Sequence, residues 1–220
     1  MVSSGDSSGG ALGHAETINA LKRIAEQLLG RMLTAQDGLD VNVITQAEQR
    51  LGISIPEPLK AVYILVGRLP QFMTAFQQFA SPQEICLDAG LLMFLEENQS
   101  VCDWGVDTLG RVFQRQGSDS RDLELDIGAF LQLILYYQVA QGGENGYSVT
   151  LSDDEWLSLR ERAGWKQVVH HDGLIIYCLN SFLVWYSEDE DGAVVDDLLL
   201  FASLIDVPDA MKKEYALEQL

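Results

Sequence analysis

Apolar residues recur along this chain at two periods, and the alternation between those periods outlines its elements. Between 17 and about 35, Ile18, Leu21, Ala25, Leu28 and Met32 fall at steps of three and four, which keeps their side chains on one helical face. Ile44, Ala47 and Leu51 predict a second helix, with Asn42 as its N-cap and Gly52 free to take the left-handed conformation that ends it. Pro56 opens a third helix, because a proline in the first turn lacks only an N–H that would have no intrahelical partner. Leu59, Val62, Tyr63 and Val66 give that helix its buried stripe, and Gly67 stops it. Phe72, Phe76 and Phe79 predict one face of a further short helix.

The period then shortens. Segments 84–87, 91–96, 101–106 and 111–114 are apolar and divided by Asp, Gly, Asn and Gln, the pattern of an antiparallel meander, with Asn98-Gln99 as a tight connection. Helical spacing returns at Ile127, Phe130, Leu131, Ile134 and Leu135, over about 125–140, and the glycine-rich stretch 141–146 ends it. Ser152 and Glu155 form a capping box for a helix that runs to about Ala163. Three strands follow at 167–170, 174–179 and 182–186, and the stretch from Asp197 predicts helix, with Pro208 opening a final turn. The order implies an α+β protein: a flexible Gly- and Ser-rich tail over 1–14, then a single domain over 15–220 that begins with a helical extension.

Composition adds one outlying quantity. With 220 residues and 47% hydrophobic content the chain has ample material for a core, but 33 acidic against 14 basic residues leave a formal net charge of −19. Such a surface repels phosphate and anionic lipid, which argues against direct nucleic-acid or membrane binding and favours a basic protein partner. The competing explanation is that acidity serves solubility alone. Cys86, Cys102 and Cys178 are widely spaced and lie in apolar runs, so they read as reduced core residues of a cytoplasmic protein. The N-terminal stretch has no basic-then-apolar signal pattern, and no apolar run approaches a membrane span of about 18 residues.

Two stretches carry a family resemblance. Glu48-Gln-Arg-Leu-Gly-Ile-Ser-Ile-Pro-Glu-Pro-Leu-Lys-Ala-Val-Tyr63 resembles the Glu-x-x-Leu-Gly-x-x-Leu-Pro opening of the SUKH superfamily, with Ile55 where Leu is usual. Glu96-Glu-Asn-Gln-Ser-Val-Cys-Asp-Trp-Gly105 resembles that superfamily's strand pair. The likeness covers most of 41–205, and the usual Asn-Gly-Gly turn after the third helix is replaced by Gly67-Arg-Leu-Pro70. It implies a curved antiparallel sheet with helices packed on one face. It also implies a binding protein: many bacterial members are immunity proteins that occupy a polymorphic toxin domain, often a nuclease, while others are regulators or scaffolds, some linked to cell-wall synthesis.

Candidate chemistry is sparse. His14 falls in the expected tail, and the neighbours His170 and His171 point to opposite faces of a strand, which disfavours a shared metal. In Ser187-Glu-Asp-Glu-Asp-Gly192, aligning Gly192 with the glycine of a calcium loop puts Asp189 and Asp191 at ligand positions, but Ser187 and Leu198 then occupy the first and twelfth, where carboxylates are needed. The glycines of 142–146 follow a helix and lack the Lys-Ser or Lys-Thr of a phosphate cradle. No metal, cofactor or catalytic set is expected.

The expected activity is therefore stoichiometric binding of a basic toxin domain. Glu96, Glu97, Asp103, Asp107, Glu188, Asp189, Glu190 and Asp191 would stand in for the nucleic-acid backbone at its active site. A regulatory or scaffold role without a toxin is the alternative, and an enzyme comes third.

Overall fold

The computed structural model describes residues 8–143, 145–189, 191, 194–195 and 198–220. Helix α1 (Ser8–Leu29) starts within the stretch expected to be a tail, so His14 is helical, and it stops at Gly30, whose φ of +64° suits a residue without a Cβ. Because the helix ends there, Met32 leaves the predicted stripe and is 68% exposed, while Leu21, Ala25 and Leu28 are buried.

Helix α2 (Val41–Leu51) is capped by Asp40 rather than Asn42: the Asp40 carboxylate accepts the Asn42 N–H at 2.8 Å. Gly52 ends it in the left-handed region, as expected. Helix α3 (Glu57–Val66) begins after Pro56 and buries Leu59, Val62, Tyr63 and Val66. The phenylalanine helix shrinks to a single turn, α4 (Pro70–Met73). Phe76 lies beyond it and Phe79 falls in strand β1 (Gln78–Phe79), because the Phe76 and Gln77 N–H groups are captured by the side chain of Gln138.

Strands β2 (Cys86–Asp88), β3 (Leu91–Glu96), β4 (Asp103–Val106), β5 (Arg111–Gln116) and β6 (Asp119–Asp126) complete a six-stranded antiparallel sheet with β1. The order is β1-β3-β4-β5-β6, with β2 also on β3. Strand β6 has no counterpart among the elements expected from sequence. It is an edge strand on which only Leu123 is buried, so it lacks the apolar alternation that would announce it.

Asp126 caps helix α5 (Ile127–Gly142) by accepting the Ala129 N–H. The helix buries residues on nearly every side, because it packs against α1 and α3 and also touches both sheets. The second sheet comprises β7 (Asn145–Val149), β8 (Lys166–His171), β9 (Leu174–Leu179), β10 (Phe182–Ser187), β11 (Leu199–Ser203) and β12 (Leu217–Gln219), in the order β12-β7-β11-β10-β9-β8. Strand β11 lies where helix was expected after Asp197, and β7 begins inside the expected loop. The α+β class and the N-terminal helix stand, but the strands divide between two sheets where one curved sheet was expected.

Side-chain alternation lets the second sheet serve two cores. Ile176, Cys178 and Leu183 join the main cluster with α5, whereas Ile175, Tyr177, Phe182, Val184 and Tyr186 pack with Trp156 of α6 (Asp153–Ala163) and with Tyr215, which follows α7 (Asp209–Glu214). The Ser152–Glu155 capping box opens α6 as predicted.

Candidate functional site

In the first sheet, Leu92, Phe94, Trp104, Val106, Val112 and Leu123 join the core shared with the helices. The alternate positions face the other way. Asp103 pairs with Arg115, Gly105 with Phe113 and with Met93, and Met93 with Cys86, so these residues share the outer face. Gly105 permits that arrangement, since a Cβ there would lie 2.6 Å from Met93 Sδ and 2.9 Å from Leu91 Cβ.

A hollow of about 550 Å³ opens on this face, lined in part by Glu84, Cys86, Met93, Glu96, Asp103 and Arg115. Glu96 and Asp103 are register partners across β3 and β4. The Arg115 guanidinium bonds Asp88 and also reaches Asp103 at 3.2 Å, and these two carboxylates hold it more firmly protonated than a free arginine. Arg115 is thus paired with Asp88 and Asp103, while Glu84 and Glu96 also line the hollow, so carboxylates outnumber the one guanidinium and the hollow keeps a net negative charge.

Of the eight residues expected to meet a partner, Glu96 and Asp103 occupy this hollow. Glu97 instead braces its own turn, where its carboxylate accepts the Val101 N–H at 3.1 Å and its own N–H donates to the Cys102 carbonyl. Asp107 is likewise committed to the β4–β5 turn, accepting the N–H groups of Leu109 and Arg111 at 2.9 Å and pairing with the Arg111 guanidinium. Burial alone would raise its pKa, but the hydrogen bonds from Arg111 and Leu109 outweigh burial and lower it.

Glu188, Asp189 and Asp191 follow the end of β10 in the other sheet and do not line the hollow. The Glu188 N–H donates to the Gly173 carbonyl at 2.7 Å, and Asp189 accepts the Asp191 N–H at 3.0 Å, a local turn rather than a ligand cage. Glu190 lies outside the described residues, as does Gly192 of the supposed calcium loop. Among the described residues, no three His, Cys, Asp or Glu side chains converge as metal ligands.

Cys86 corrects the expectation of three core cysteines. It is exposed on β2, Cys102 is half-buried, and Cys178 alone is fully buried, with burial pushing its thiol up to about 12. Asp88, Glu84 and Arg115 were not singled out from sequence; the β4–β5 register sets Arg115 opposite Asp103, and its guanidinium reaches Asp88, while Glu84 lines the same hollow. On the opposite side of β2, Leu87 helps line an apolar groove of about 670 Å³ with Ile53, Pro56 and Leu109, the last 78% exposed.

No helix among the described residues is long and apolar enough to cross a membrane. No protein-family model matches the chain, and no curated protein matches it.

Proposed function

We propose that this chain is a binding protein of the SUKH type that neutralises a basic toxin domain, a nuclease by preference, through stoichiometric occlusion. The observation that carries the reading is the acidic hollow on the outer face of the first sheet, where Glu84, Asp88, Glu96 and Asp103 outnumber Arg115. A nuclease must attract phosphate and is therefore basic around its active site, so a net charge of −19 focused by such a face favours its approach. Carboxylates arranged on a sheet then occupy positions that phosphates would take. On this reading the protein acts in the cytoplasm and turns nothing over.

The test is to co-purify the chain with the product of the adjacent gene and to measure association against salt. Association should be fast at low ionic strength and slow markedly as salt screens the approach, while dissociation changes less. Glu96→Lys with Asp103→Lys should slow association and abolish protection. A neighbour that is not basic, or rates indifferent to salt and to both substitutions, would leave the regulatory role ahead.

A further inference from the structure

A further cavity lies at the seam between the two sheets, on the opposite side of the first sheet from the acidic hollow. It has a volume of about 230 Å³, and Trp104 of β4, Gln114 of β5, Phe130 and Tyr137 of α5, and the β8–β9 turn all contribute to its lining. At about 30 Å³ per water molecule it is roughly the size of one ring-sized molecule.

Its polar groups are few and oriented. Gln77 is only 4% exposed, and its Oε1 accepts the Asn98 N–H at 3.0 Å, which fixes the amide so that Nε2 is the remaining end. That Nε2 has no hydrogen-bond partner among the described residues, although Gln77 lines the cavity. Gln114 donates through Nε2 to Cys102 Sγ at 3.2 Å, which leaves its Oε1 as an acceptor in the lining. Apart from these groups the inner lining is largely aromatic and aliphatic, with the Trp104 and Phe130 rings 6.4 Å apart and inclined at 38°. At the mouth, Asp172 is already engaged by Arg121 at 2.9 Å, so it offers no free charge to an ion.

Gln77 Nε2 is not among the fully buried polar atoms left without a partner, so it is reached through the cavity, where water or a ligand can accept from it. A largely apolar slot in which Gln77 offers a donor and Gln114 an acceptor, with Tyr137, His171 and Asp172 also in the lining, suits a planar molecule that presents a carbonyl beside an N–H. We propose that this seam cavity binds a small neutral ring with a lactam-type edge, its carbonyl accepting from Gln77 Nε2 and its N–H donating to Gln114 Oε1. The proposal is independent of the toxin-binding reading, since it uses neither the acidic hollow nor a protein partner.

The probe is 2-pyridone, titrated into the full chain and followed by ¹H–¹⁵N spectra that resolve side-chain amide and indole signals. Saturable binding below about 10 mM is expected, as a ligand of this size requires only modest efficiency. The Gln77 amide and Trp104 indole signals should move together. N-methyl-2-pyridone, which lacks the N–H, and Gln77→Met should each weaken binding roughly fivefold, the loss of one neutral hydrogen bond. If Gln77→Met does not fold, Gln114→Leu provides the same comparison at the acceptor. Shifts confined to other residues, no saturation, or equal affinity for both pyridones would mean that the cavity holds water only, and the proposal would fail.

Discussion

Gln77 and Gln138 exchange two hydrogen bonds in opposite directions: the Gln77 N–H donates to Gln138 Oε1 at 2.8 Å, and Gln138 Nε2 donates to the Gln77 carbonyl at 2.7 Å. Gln138 also accepts the Phe76 N–H and donates to the Phe72 carbonyl, so one fully buried side chain on α5 satisfies the backbone of the turn between α4 and β1. Gln138→Leu leaves those backbone groups buried without partners and should lower unfolding free energy by about 3 kcal/mol. Chemical denaturation measures this, and a loss below about 1 kcal/mol would mean that water or a shifted turn replaces the amide.

Gly38 is packed without room for a side chain. A Cβ there would lie 1.5 Å from the Ile64 carbonyl oxygen, and the flanking residues are tied to the same region by Leu39 N–H to Tyr63 O and Arg68 N–H to Asp37 O, each 2.9 Å. Gly38→Ala must push this segment away from α3 and should cost at least about 2 kcal/mol. An unchanged melting temperature would show that the segment moves freely.

Asp37 titrates against Arg31. The bidentate Arg31 guanidinium, at 2.8 and 2.9 Å, and the Thr34 N–H hold the Asp37 carboxyl well below the usual carboxylate range, while the same pair raises the pKa of Arg31. A folded-state pKa below the unfolded one makes this contribution full above about pH 4 and lost as pH falls towards the folded value. The melting-temperature gap between wild type and Asp37→Asn should therefore be widest near neutrality and close in acid. A gap constant from pH 7 to 3 would deny the linkage.

Trp104 and Leu51 come from the two stretches that resemble the SUKH pattern, and their environments differ. Trp104 is 9% exposed and packs on Phe130, so Trp104→Ala should cost about 3–5 kcal/mol through lost transfer energy and a residual cavity. Leu51 is half-buried against the same core, and Leu51→Ala should cost less, about 1–2 kcal/mol. Comparable losses at both positions in urea titrations would contradict the burial difference.

Helix α5 joins both sheets to one core, since Val169, Ile176, Cys178 and Leu183 of the second sheet share a cluster with Leu92, Phe94 and Trp104 of the first. Heat should therefore unfold the two sheets in a single transition. Differential scanning calorimetry that resolves two, or proteolysis that leaves a stable fragment cut near 141–150, would make them separate units.

The amino-acid order alone determined the elements whose signals are local. Gly52 and the Ser152–Glu155 box mark helix ends through backbone conformation and hydrogen bonds a few residues long, and the periodic stripe of α3 reflects burial of a face. Net acidity was equally plain, because charge is a sum. Tertiary structure decided what depends on partners distant in the chain. Strand β6 has one buried residue and exists because β5 pairs with it, and β11 became a strand between β10 and β7 although its neighbourhood suggested helix. The same holds for the charged residues: Asp107 and Glu97 were absorbed by turns, whereas strand register aligned Glu96 with Asp103 and Asp103 with Arg115, whose guanidinium then reaches Asp88. Charge can be counted along a chain, but which charges share a surface is set by pairing between segments that sequence proximity does not connect.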